Sequence, residues 1–272
     1  DLSRSRTIKP ERSWQRTMIR STGKYLAIFR TQLTDRLAYP VDLLTQSISI
    51  LIFVFIFLQL WKTTYSATGQ QAIAGLSLQD TIWYFLAAEM IMVSSPRVYR
   101  TISEAVKDGS IAYLLNKPYD FILYHASVGL GDLVARLTFN ILVGVAFTWL
   151  LVGPPPAPES IPPLLIAYFL AWLINFCTSA LIGLAAFAFE EVAPLDWIYH
   201  KLLLVAGGVL IPLDFFPEWL REICQSLPFA YTIYGPARFF IDPSWQRFVT
   251  LILGQLGWII VMATLLTLVY RR

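Results

Sequence analysis

Apolar residues fall along this chain in long blocks divided by short polar or proline-rich turns. A hydrocarbon core about 30 Å thick needs roughly 20 helical residues to cross it. On that scale the blocks predict membrane spans at residues 40–61, 80–95, 133–152, 162–189, 197–213 and 248–270. The second and fifth are short and less apolar, so they are expected to tilt against neighbours or to be continued by polar turns. An even number of spans places both termini on one side. Ahead of the first block, residues 21–38 read as an amphipathic helix lying in the membrane interface. Ser21 is its expected N-cap; Tyr25, Leu26, Phe29, Leu33 and Leu37 form its apolar stripe, with Lys24, Arg30 and Arg36 away from it. The predicted fold class is an all-α integral membrane protein with six transmembrane helices.

Two segments between the blocks carry further pattern. Residues 102–118 read as a short amphipathic helix stopped by Gly109, then a second turn bearing Leu114 and Leu115, then a breaker at Pro118. An apolar face on such a loop invites a docking partner. Between spans five and six, Pro217 suits the first turn of a helix whose apolar side carries Trp219, Leu220, Ile223, Cys224 and Leu227, while Glu218, Arg221, Glu222 and Gln225 form its wet side. Pro228 ends it, and one more short helix carries Phe229, Tyr231, Ile233 and Tyr234, giving a re-entrant or interfacial hairpin. Gly153 and the prolines at 154, 155, 156 and 158 form a stiff turn rather than a linker.

Composition agrees: of 272 residues 56% are hydrophobic and 14% charged, too little charge for a soluble surface. The formal charge of +3 is unevenly spread, with nine of 21 Lys and Arg in residues 1–40, which favours an anionic membrane face over nucleic acid. Residues 1–20 are polar and basic with no apolar core, unlike a signal peptide, and read as a cytoplasmic tail ahead of one membrane domain at 21–272. With the N-terminus inside, the inner loops and termini hold sixteen Lys and Arg, including Lys201 in the 190–201 turn, and the outer loops hold four. Basic residues gather on the cytoplasmic side, so both termini are expected there. Cys177 and Cys224 show no ligand spacing, so neither a disulfide framework nor a metal site is expected.

The 102–118 loop resembles the coupling-helix region of the ABC-2 permeases, the membrane subunits of type-2 ABC exporters. The matching residues are Glu104, Lys107, Asp108, Gly109, Ser110, Leu114, Leu115 and Pro118. The order Gly207-Gly208, Pro212, Phe215-Phe216-Pro217, Trp219-Leu220, Leu227-Pro228 and Arg238 resembles the outer hairpin of the same family, and the likeness covers most of residues 21–272. It implies a cytoplasmic coupling helix that fits a cleft on a separate ATPase, a second permease subunit, identical or homologous, and a place in a bacterial inner membrane. The Asn116-Lys117-Pro118 ending is similar to the subgroup in which two different permeases share one ATPase. The implied activity is export of a hydrophobic or cationic small molecule, with a lipid or glycan as the alternative cargo. The chain itself carries no P-loop, since Gly23-Lys24 is followed by Tyr25 and no glycine stands at position 18. No cofactor is expected in this chain; ATP and Mg are expected on the partner.

Ionisable groups inside spans cost about 2.5–3.5 kcal/mol each, so each asks for a partner or a polar cavity. Glu89 and Arg136 are expected at similar depth and able to neutralise each other; alternatively Asp132 pairs with Arg136 at i,i+4 and leaves Glu89 to a cavity. Glu89, Arg136, Asn140 and Asn175 are thus candidates for a substrate path or gate, with interhelical hydrogen bonding the plainer role for the asparagines. Trp83, Tyr84, Phe139, Trp149, Trp172 and Phe176 suit either packing or a ringed cargo cavity. Glu190 and Glu191 are expected to be solvated. An intramembrane enzyme is the reading from another class, but His125 and His200 stand in no nucleophile or metal arrangement. The inverted repeats and broken helices of a secondary transporter are also not seen.

Overall fold

In the computed structural model, residues 11–271 are described, with side chains from residue 23 onward. The helices are α1 (Glu11–Ala38), α2 (Pro40–Thr68), α3 (Leu78–Val93), α4 (Val98–Lys107), α5 (Ile111–Leu115), α6 (Phe121–Val152), α7 (Ile161–Leu184), α8 (Ala193–Val205), α9 (Glu218–Ser226), α10 (Pro228–Thr232), α11 (Tyr234–Ile241) and α12 (Trp245–Tyr270). A two-stranded hairpin, β1 (Ala72–Ile73) and β2 (Leu76–Ser77), joins α2 to α3 through Ala74 and Gly75, both at positive φ.

Four helical stretches are long and apolar enough to cross a membrane: Pro40–Thr68, Phe121–Val152, Pro158–Phe187 and Trp245–Tyr270. The other two expected spans are short helices: α3 is as long as expected but begins two residues earlier, and α8 is shorter than the expected 197–213. The sixteen residues of α3 and thirteen of α8 rise only about 24 and 20 Å at 1.5 Å per residue. After Val205 the chain leaves the helix and continues as turns to Pro212. Local signals set several boundaries. Ser77 and Asp80 form a capping box that starts α3; Asp120 accepts from the Leu123 amide at the start of α6, and Ser244 from the Arg247 amide at the start of α12.

Helix α3 is the hub. Ten of its residues are buried, among them Trp83, Tyr84, Phe85 and Leu86. It packs against α2, α6 and α11, and Trp61, Phe85 and Phe215 stack at its centre. Helix α7 is the second internal element, with 56% of its most apolar stretch buried against 17% for α12. The exposed apolar faces of α2, α8 and α12 suit lipid or another subunit: Ile48, Ile52 and Phe55 on α2, Trp197 and Ile198 on α8, and Leu253 and Ile260 on α12.

Several expectations need correction. Helix α1 begins at Glu11, so Ser21 lies within it and is not its N-cap, and residues 11–20 are helical; residues 1–10 of the expected tail lie outside the described residues. Helix α1 packs along α6, and its stripe is divided: Leu26 and Leu37 are exposed, while Gln32 and Arg36 turn toward α6. The third span starts at Phe121, not residue 133, because Asp132 and Arg136 are accommodated inside the helix. Lys201 lies within α8 rather than in a turn and sits over the Trp197 ring. Pro217 is the N-cap of α9 rather than a first-turn residue, Pro228 opens α10, and the second helix of the hairpin is broken at Ile233 into α10 and α11.

Candidate functional site

Helix α4 leaves α3 through Ser94-Ser95-Pro96-Arg97 and is strongly two-sided. Val98, Tyr99, Ile102, Ser103 and Ala105 are buried, and the helix lies against α7. The Tyr99 amide donates to Ser179 Oγ at 3.0 Å. At Gly183 of α7 the two backbones come so close that a Cβ would stand 2.9 Å from Ile102 Cβ and 3.0 Å from Tyr99 Cα. The apolar face of α4 is therefore spent on its own bundle and is not free for a partner, contrary to expectation. Glu104 and Lys107 lie on the opposite, exposed side.

The turn after α4 is tightly specified. Gly109 has φ +77°, a conformation that side chains disfavour, and reverses the chain. The Ser110 amide donates to Asp108 Oδ1 at 2.8 Å, and the hydrogen bonds from Ser110 hold the Asp108 carboxyl below the usual carboxylate range. Helix α5 then presents Tyr113 and Leu115, 69% and 49% exposed, while Leu114 is half-buried against the α4, α6 and α7 core. The exposed apolar surface of this region is thus Tyr113 and Leu115.

Two contacts fix the loop to its surroundings. Lys107 Nζ donates to Glu191 Oε2 at 2.8 Å, and with the Ala193 amide on Oε1 this lowers the Glu191 carboxyl. Glu191 is therefore a partner of the loop rather than simply solvated. Lys24 Nζ reaches the Pro118 carbonyl at 3.3 Å, and the Asp120 amide donates to Tyr25 Oη at 3.0 Å, so α1 and the loop end are joined. Lys117 also lies over the Tyr113 ring, 4.8 Å from its centroid.

The four groups named for a substrate path are not brought together. Arg136 pairs with Asp132 at 3.6 Å and not with Glu89. Asp132 is also held by Arg36 Nε at 2.6 Å and Gln32 Nε2 at 2.8 Å, so two residues of α1 join Arg136 of α6 on this carboxylate. The i,i+4 pair wins because α1 supplies additional donors, and Glu89 is half-buried with no ion pair among the described residues. Asn140 accepts from Ser47 Oγ at 3.1 Å, joining α6 to α2. Asn175 donates to Ser95 Oγ at 3.2 Å and accepts from Tyr199, joining α7 to the α3–α4 link and to α8. Of the aromatics, Trp83, Tyr84, Trp172 and Phe176 are buried in the packing, whereas Trp149 is exposed.

Sequence reasoning offered the Asp132–Arg136 pair but missed the α1 half of that cluster, and it missed a second cluster altogether. Arg36 and Gln32 stand four apart on α1, and that polar pair was the available sign that α1 presents more than an apolar stripe to its neighbour. At the other end of the bundle Arg238 joins Asp214 at 3.2 Å and Asp242 at 3.4 Å, and Arg247 joins Asp242 at 2.6 Å.

Long apolar helices around a buried hub, with an amphipathic helix clamped across one end, define an all-α membrane transport domain. A family model described as "ABC-2 family transporter protein" matches residues 43–272, and the chain belongs to that family. No curated protein matches it. It is a permease subunit of an ABC transporter, a membrane component that lacks ATPase activity, and its family implies association with ABC ATPase subunits.

Proposed function

We propose that the chain exports a hydrophobic or cationic small molecule, that it works opposite a second permease, identical or homologous, and that α4 and α5 are the surface a separate ATPase grips. The observation that carries this reading is the coupling of an exposed face to a rigid mount. Glu104, Lys107, Asp108, Ser110, Tyr113 and Leu115 are presented outward while the opposite side of α4 is fixed on α7 at Gly183. A push on this face is carried into α7 because packed elements shift as units rather than deform. ATP and Mg bind the ATPase, whose closure supplies the movement. The exposed apolar faces of α2 and α8 support a partner subunit in the membrane.

Glu89 supports the cationic class of cargo, being a half-buried carboxylate that forms no ion pair among the described residues. Helices α3 and α8, continued by their flanking turns, complete six spans. The bias of Lys and Arg persists with Lys201 set aside, and supports cytoplasmic termini and a bacterial inner membrane.

Charge reversal of Glu104 and Asp108 together is expected to lower substrate-stimulated ATP hydrolysis of the complex and leave the permease folded, with only the local loss of the Asp108–Ser110 turn bond, since both side chains are exposed. Unaltered hydrolysis and co-purification would remove α4 from the interface. Orientation is read separately: with Cys177 and Cys224 replaced, a single cysteine at Ser110 should resist a membrane-impermeant thiol reagent in intact cells, and ready labelling would invert the topology.

A further inference from the structure

A cavity of about 350 Å³ opens between α1, α4 and α6, close to where α2 enters its apolar run. Four arginines line it, Arg36, Arg97, Arg100 and Arg136, against two carboxylates, Asp132 and Glu104. Asp132 is already engaged by Arg36 and Arg136, and Arg36 pairs in addition with Asp42 at 3.6 Å, so the positive charge left over is that of Arg97 and Arg100. Arg97 and Arg100 are exposed and form no ion pair among the described residues. Three further polar atoms of the lining are buried without a hydrogen-bond partner: Arg136 Nε, His125 Nε2 and Ser94 Oγ. The guanidinium Nε carries a hydrogen and can only donate, so what it lacks is an acceptor. The first turn of α4 also borders the cavity, and its N-cap, Arg97, makes no side-chain cap, so the positive end of the helix adds to the same field.

We propose that this pocket holds the phosphate of an anionic phospholipid from the adjoining leaflet. A phosphodiester brings the acceptor oxygens and negative charge that the lining lacks, and arginine matches its geometry in forked pairs. The chemistry is shared with free phosphate. The lipid is favoured by position, because Leu37, Tyr39 and Val134 expose apolar surface on the neighbouring segments, where acyl chains lie. Basic pockets between membrane helices at headgroup depth take such groups. The site is independent of cargo and of which leaflet faces the cytoplasm. It places the lipid against Arg97 and Arg100 of the α4 entry, so the bound headgroup braces the mount of the coupling surface.

The test uses the full permease in lipid discs of phosphatidylcholine with or without phosphatidylglycerol, read by native mass spectrometry and thermal unfolding. Wild type should retain phosphatidylglycerol through delipidation and unfold at higher temperature when it is present. The R97Q/R100Q variant, altered only at exposed side chains, should fold equally well in phosphatidylcholine and bind phosphatidylglycerol about tenfold more weakly, whereas Arg30→Gln, an exposed charge on α1 outside the pocket, should bind as wild type does. Equal retention by wild type and R97Q/R100Q would overturn the site. Equal loss in Arg30→Gln would reduce it to general surface charge. Matching stabilisation by millimolar inorganic phosphate in phosphatidylcholine discs would overturn the lipid as its source.

Discussion

Asp132 and Asp214 are both half-buried carboxylates held by arginine, at opposite ends of one bundle, yet their surroundings differ in balance. Around Asp214 two arginines, Arg238 and Arg247, meet two carboxylates, Asp214 and Asp242, and Tyr234 Oη adds a donor at 3.3 Å. Around Asp132 the bonded groups, Arg36 and Arg136 with Asp132 and Asp42, also match, but Arg97 and Arg100 stand beside them without an ion pair among the described residues, and buried donors remain without acceptors. The balanced cluster fastens the turn after α8 to α11 through Asp214 Oδ1, and leaves Asp214 Oδ2 without a donor among the described residues. The unbalanced one is completed from outside the chain. An ion network thus reveals its role less by its bonds than by the charge left over when those bonds are counted.

The largest effect is expected at the balanced cluster. Arg238→Gln removes the one cation paired with Asp214 among the described residues and should destabilise the protein by about 3 kcal/mol, with R238Q/D214N recovering most of the loss. Thermal unfolding in lipid discs measures this, and a neutral Arg238→Gln would mean that Asp214 needs no cation. Asp132→Asn should cost about 1–2 kcal/mol in phosphatidylcholine, less because its side chain is 23% exposed. With the local positive charge increased, the same variant should bind phosphatidylglycerol more tightly than wild type. Weaker binding would place the carboxylate, not the arginines, in command of the site. The smallest effect falls on the solvent-exposed Lys107–Glu191 pair: Lys107→Met should leave stability essentially unchanged at any salt concentration, because water and ions screen the pair. A clear loss in a denaturation series would show that this contact holds α4 in place.

The legible parts of the molecule were those governed by neighbours in sequence. The apolar runs of α2, α7 and α12 announce themselves because membrane length alone demands them. The Gly109 turn and the Ser77–Asp80 cap are likewise set within a few residues, although only the first was read. Asp132 shows why other features were not legible. Its neutralising groups come from Gln32 and Arg36, 100 and 96 residues away, so local hydropathy moved the start of the span past it. The direction of α4 was hidden for the same reason: an amphipathic helix states that one face is buried without saying by what, and the answer is Gly183 of α7. The short β-hairpin escaped notice because two residues per strand leave no alternation to read.

At 32 residues α6 is about 48 Å long, well beyond the apolar thickness it crosses. Its first turn meets the end of the 102–118 loop, and just past its last residue Pro154 accepts from Gln79 Nε2 at 2.7 Å. Between them the Ser47–Asn140 bond pins it to α2. Treated as a rigid bar with its fulcrum at Asn140, the helix has arms of about 29 and 18 Å. A sideways stroke delivered at Phe121 emerges beyond Val152 shortened by about a third, with its thrust raised in proportion. The bar trades travel for force.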